Sequence, residues 1–199
     1  MSVAAARRLH RPLALALLVG ITTLPVGAGA QVPVSPGTVV SGVLSFDGRA
    51  TLGDFTGTTT AVTGEFSGGP DLASVQGWVE APVRTLRTGK GKRDTDMNKS
   101  MESDKYPMIR YELTGVTPGV WSGDTAQVTL LGRFLIHGVT REAEIPARVT
   151  ITADQVRVEG STPLNLKDYR IGGLTKFLGT IRMHEDIVVR LDVTFATAP

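Results

Sequence analysis

Apolar and polar residues alternate along most of this chain, and a period of two marks strands with one buried face. Over residues 126–136, Ala126, Val128, Leu130, Gly132, Phe134 and Ile136 share one side, with Gln127, Thr129 and Arg133 on the other. Ile145, Ala147, Val149 and Ile151 form a second such face, and Val189, Leu191, Val193 and Phe195 a third. Ile109, Tyr111 and Leu113 alternate with Arg110 and Glu112. Residues 39–46, 50–60, 61–66 and 72–86 are less regular strand candidates. Asp47-Gly48, Gly68-Gly69-Pro70, Thr117-Pro118-Gly119 and Ser122-Gly123-Asp124 read as turns between the runs. His137-Gly138-Val139-Thr140 separates two strong strands closely enough to predict a tight hairpin. Many strands, short connections and few helical windows predict an all-β fold. A single antiparallel barrel of about eight strands is the expected form, because closure removes the edges that invite aggregation.

Two segments break the rhythm. Residues 94–103 predict a short helix that stacks Met97 on Met101 at i, i+4. Residues 165–177 predict an irregular loop or short helix before the last strand.

The start of the chain belongs to another class of segment. Arg7, Arg8 and Arg11 precede an apolar run over residues 13–24, and Ala28-Gly29-Ala30 follows with small residues. This is the layout of a cleaved secretory signal over residues 1–30, too short in its apolar part to span a bilayer comfortably. Residues 31–36 form a Pro-rich lead-in, and residues 37–199 a single domain. The leader also changes the charge picture. The whole chain carries 21 Lys+Arg against 19 Asp+Glu, but residues after 30 carry 18 against 19. A nucleic-acid surface needs a dense basic patch, and a nearly neutral domain gives no support for one. With no cysteine, disulfides and cysteine lipidation are both excluded.

Candidate chemistry is sparse. Asp94, Asp96 and Asn98 alternate like the first ligands of a calcium loop, but Lys99 replaces its turn glycine and Lys105 its bidentate carboxylate. A solvated charged helix fits these residues better. His184-Glu185 begins a metalloprotease pattern whose second His would be at Val188. Only His137 and His184 follow residue 30, so zinc is not expected, and neither is any cofactor. No G-x-S-x-G turn occurs, and Gly89-x-Gly91 lacks the rest of a dinucleotide fingerprint.

Longer stretches carry a resemblance. KRDTDMNKSMESDKYPMIRYELTGV and, after it, GRFLIHGVTREAEIPARVTI are similar to the YceI-like family of bacterial periplasmic proteins. The shared elements are Arg93-Asp94, then Lys105-Tyr106-Pro107-Met108-Ile109 entering a strand, then Ile136-His137-Gly138-Val139-Thr140. FDGRATLGDFTGTTTAVTGEFSGG resembles the first strands of that family, and LNLKDYRIGG its late loop, with Tyr169 where Phe is commoner. The likeness runs from about residue 37 to residue 196. It implies a lipocalin-like antiparallel barrel capped by one or two short helices. It also implies an internal apolar tunnel for a long polyisoprenoid lipid, export to the periplasm or cell exterior, and binding rather than catalysis.

If the apolar alternation marks the interior, Ile109, Tyr111, Val128, Leu130, Phe134, Val149, Ile151, Leu191 and Val193 face the lipid tail. The helix over residues 94–103 then caps the mouth, with Met97 and Met101 turned inward and Arg93, Lys99 and Lys105 outside, Arg93 being the residue placed to meet a head group. An isoprenoid lipid is the expected partner; transient membrane contact and a homodimer are compatible with it. Two rivals stand beside this reading: a secreted hydrolase-type enzyme built around His137 or His184, and a ligand-free barrel serving as an interaction module.

Overall fold

Each alternating run forms a strand, and the strands join edge to edge until the first meets the last. The structure, a computed structural model, describes residues 33–172, 175–176 and 181–197; the leader, and residues 173–174 and 177 of the 165–177 segment, lie outside the described residues. In chain order the strands are β1 (Gly37–Gly48), β2 (Phe55–Thr59), β3 (Thr63–Ser67), β4 (Gln76–Pro82), β5 (Met108–Ser122), β6 (Thr125–Ile136), β7 (Val139–Ile151), β8 (Gln155–Asn165), the two-residue β9 (Thr175–Lys176) and β10 (Ile181–Arg182), and β11 (Asp186–Thr197). The order around the sheet is β11-β8-β7-β6-β5-β4-β3-β1, and β1 pairs with β11 to close an eight-stranded antiparallel barrel. β2 continues the wall beside the second half of β1, where Leu44 pairs with Thr59 and Gly48 with Phe55.

The cross-strand pairs put apolar side chains inside. Leu44 faces Leu191, Phe46 faces Val189, Tyr111 faces Phe134 and Leu130 faces Ile145. Two buried clusters result. One gathers at the end where β1 starts and β11 finishes, around Val34, Phe66, Val75 and Phe195, with the two Phe rings edge to face at 5.0 Å. The other gathers at the opposite end, around Ile136, Leu166, Tyr169, Ile171 and Ile187. Val34 bridges to Gly69, and the 3-10 turn Leu72–Ser74 packs beside β5, so the first end is closed by the chain itself.

Turn chemistry explains the hairpins. His137 and Gly138 join β6 to β7 with φ of +53° and +71°, as a two-residue type I′ turn requires. Gly123, at φ +64°, opens the β5–β6 hairpin at the expected Ser122-Gly123-Asp124. Two expected turns are strand instead. Asp47 and Gly48 still belong to β1, and the chain reverses over residues 49–54. Thr117-Pro118-Gly119 lies within β5, which is interrupted only by register shifts at Leu113/Gly115 and Pro118/Trp121. Beyond Leu113, β5 has no β4 partner, and a proline is tolerated on such an edge. β8 has no counterpart among the predicted strands: Gly160, Thr162 and Pro163 dilute an alternation that only Val156 and Val158 display.

Candidate ligand tunnel

A cavity of about 580 Å³ runs through the barrel, walled by residues of both buried clusters. That is within the ~300–1,000 Å³ usual for small-molecule sites. Of the positions picked out by alternation, Ile109, Tyr111, Leu130, Phe134, Val149, Leu191 and Val193 line its wall. Val128 and Ile151 do not. Val128 is buried opposite Ala147, and Ile151, packed against the same cluster, ends β7 opposite Val156. Alternation reports which face a residue is on, and these two share the face without reaching the hollow. The wall also holds residues the alternation did not single out, among them Leu44 and Phe46 of β1, Val79 of β4, and Val156, Val158 and Leu164 of β8. Their signal was the pairing partner: each strand beside a recognised one must present the same face.

The Tyr111 hydroxyl in this wall is internally spent. Tyr111 donates to the carbonyl of Leu130 (3.2 Å) or of Ala143 (3.3 Å), and burial pushes its phenol well above its ordinary value. Its ring lies 4.8 Å from Phe134 and passes over Gly132, where a Cβ would come within 2.7 Å of it. The cavity therefore offers a ligand apolar surface and shape.

The open end is built by α1 (Gly91–Ser100) and the β1–β2 turn. Met97 and Met101 line the cavity from the helix side. Asp94 anchors the helix: its Oδ1 accepts from the Thr88 hydroxyl (2.6 Å) and backbone N–H (2.9 Å). Those bonds, the hydroxyl's first, hold its carboxyl below the usual carboxylate range. The apparent calcium ligand is thus a tether for the cap. Lys99 and Lys105 are exposed, as expected for the outer side. Arg93 differs from expectation: it is half-buried on the mouth wall, because its guanidinium stacks over the Phe55 ring at 4.0 Å.

His137 is a hinge pin beside this mouth. It is 8 % exposed, its Nδ1 is 3.0 Å from the Tyr169 carbonyl, and its ring meets Tyr106 edge-on at 4.6 Å. A carbonyl can only accept, so Nδ1 carries the hydrogen. Nε2 lies 3.3 Å from Glu102 Oε1 without being aligned for a hydrogen bond. His184 is exposed, and its backbone N–H donates to Arg49 O. His137 is thus committed to local structure through Nδ1, while its buried Nε2 keeps no hydrogen-bond partner among the described residues.

Known proteins share this architecture. The structure of Burkholderia cenocepacia BcnA matches with a TM-score of 0.65 at 11% identity, covering 77% of this chain and 95% of that one. A polyisoprenoid binding domain from Saccharophagus degradans, implicated in plant cell wall breakdown, matches at 0.69 and 14% identity, covering 83% and 99%. The Campylobacter jejuni YCEI protein matches at 0.58 and 14%, covering 72% and 85%. At such identities these likenesses concern the fold. A search of curated proteins finds no match to the sequence. The family model for the YceI-like domain matches residues 38–195, from the first barrel strand to the last. An eight-stranded barrel with a helix at its mouth, and that match along its whole length, place the chain in the YceI-like family.

Proposed function

We propose that this protein is a non-catalytic carrier that holds a long-chain isoprenoid lipid, of polyprenyl or isoprenoid-quinone type, in the barrel tunnel. One observation carries the reading: a hollow of about 580 Å³, walled by apolar side chains and open beside α1. The polyisoprenoid-binding Saccharophagus domain, with the same fold, supports the ligand class. Apolar burial is worth ~0.8 kcal/mol per methylene-sized group, so four five-carbon units would contribute on the order of 16 kcal/mol. Ordering a flexible tail offsets a large part of that, and a micromolar to nanomolar affinity can remain without a polar contact. The signal-like residues 1–30 support a site of action in the cell envelope, periplasmic or secreted. A hydrolase built on His137 finds less support, since its Nδ1 is engaged by a main-chain carbonyl and the ring is buried.

Native mass spectrometry of protein purified from its own host tests this. The expected spectrum has an added mass that dissociates as an isoprenoid series. Consistently ligand-free protein would overturn the carrier and favour the interaction module.

A further inference from the structure

The two ends of the barrel carry different surfaces. At the mouth, Leu52 stands on the β1–β2 turn with 75 % of its surface exposed while also lining the cavity. Phe55 lies behind it under the Arg93 guanidinium. Lys90 and Lys92, both exposed, stand at the start of α1 and also line the mouth. Against Lys90, Lys92 and Arg93, the same helix sets one carboxylate at the cavity, Asp96, and the turn adds Asp54. At the closed end another apolar tip protrudes, with Val120 at 78 % and Trp121 at 36 % exposure. The connections there hold Asp71, Asp124 and Asp154 and no lysine or arginine: residues 68–71, 123–124 and 152–154.

We propose that the mouth end docks transiently on an anionic lipid bilayer, with Leu52 entering the head-group layer and Lys90, Lys92 and Arg93 against its negative charge. This rests on the carrier reading for its purpose and on the surface for its geometry. A long isoprenoid tail resides in bilayers, and passing it through water would expose the apolar area that the tunnel is there to hide. Seating the mouth on the surface makes bilayer and tunnel continuous. Each cation held near an anionic surface strengthens binding about fivefold, and the effect fades within a Debye length. A short apolar tip beside cations is the arrangement interfacial proteins use. The acidic connections of the far end repel the same surface and so fix the orientation. Because residues after 30 are nearly neutral in sum, the attraction is local to this end and not a property of bulk charge.

The test is co-sedimentation of protein purified from its host with vesicles of equimolar phosphatidylglycerol and phosphatidylcholine, against vesicles of phosphatidylcholine alone. Binding to the anionic vesicles is expected to be at least tenfold stronger and to weaken with salt. Leu52→Ser combined with Lys90→Glu should abolish most of it, with folding checked by circular dichroism, while Val120→Ser should leave it unchanged. Equal binding to both vesicles, no binding, or a double variant that binds like wild type overturns the proposal, as does loss of binding in Val120→Ser. Isoprenoid delivered from detergent separates the two readings. Protein that sediments with anionic vesicles yet retains no such isoprenoid upholds docking and overturns the carrier. Protein that retains it and ignores vesicles overturns docking.

Discussion

His137 shows how one side chain can join three segments at the edge of a site. Its backbone takes the left-handed conformation of a hairpin turn, its Nδ1–H meets the carbonyl of Tyr169, and its ring meets Tyr106. Gly138 follows with φ +71° beneath that same Tyr106 ring, where a Cβ would come within 2.5 Å of it. The I-x-G-V-T stretch thus reads as a device for fixing the cap's trailing end to the barrel. His137→Ala removes the donor and leaves a buried carbonyl unpaired, a loss of about 1–3 kcal/mol. Urea denaturation should show that loss as a lower midpoint, together with isoprenoid retention close to wild type. A stable variant that had lost a measurable hydrolytic activity would instead revive the enzyme reading.

Ion pairs stitch the strand elements on the outside as apolar pairs do on the inside. Arg157 of β8 grips both carboxylate oxygens of Asp192 of β11 through Nε and Nη2, at 2.9 and 2.8 Å, and Arg190 of β11 pairs with Asp47 of β1. Lys167, at 2.7 Å, and Arg182, at 3.2 Å, hold Glu185 just before β11. Hydrogen bonding to these cations lowers the carboxyls of Asp47 and Asp192, and the Lys167 bond with its companions lowers Glu185 to about 2. A carboxylate depressed in the fold binds more protons when unfolded, so its contribution is full above its unfolded value and disappears as pH falls through the folded one. For Glu185 that window runs from about 4.5 down to about 2. The urea midpoint should therefore hold level from pH 8 to pH 5 and then decline, and Asp192→Asn should flatten the decline. A midpoint that rises on acidification would refute this assignment.

Legibility from the sequence varied at the same scale. β6, β7 and β11 were plain because one wall faces a lumen and the other water, which forces strict alternation. β8 was hidden because its lumen-facing positions include Gly160, whose bare Cα lets the Ile145 side chain approach, and Thr162. The acidic helix was legible as a helix, but the Asp94–Thr88 tether and the Arg93–Phe55 stack were not. Both partners come from outside the helix, and no local pattern encodes them.

At the scale of the whole molecule, the question is whether the barrel is hollow where the wall residues meet, and two valines on its inner face separate the answers. Both belong to one buried cluster, but Val149, at 3 % exposure, lines the cavity, while Val128, at 6 %, does not. In a close-packed interior an enlarged side chain forces its neighbours aside and costs about 1–3 kcal/mol. Val128→Phe should behave that way, with a lower unfolding temperature and unchanged affinity for a polyprenol titrated from detergent. Val149→Phe should do the reverse, since its ring can enter empty space while taking the room of roughly one isoprene unit. Losing one five-carbon unit removes up to ~4 kcal/mol of burial, so at least a tenfold drop in affinity is expected at nearly constant stability. If both variants lose stability alike and neither loses ligand, the lumen is solid at Val149 and the tail has no passage through it.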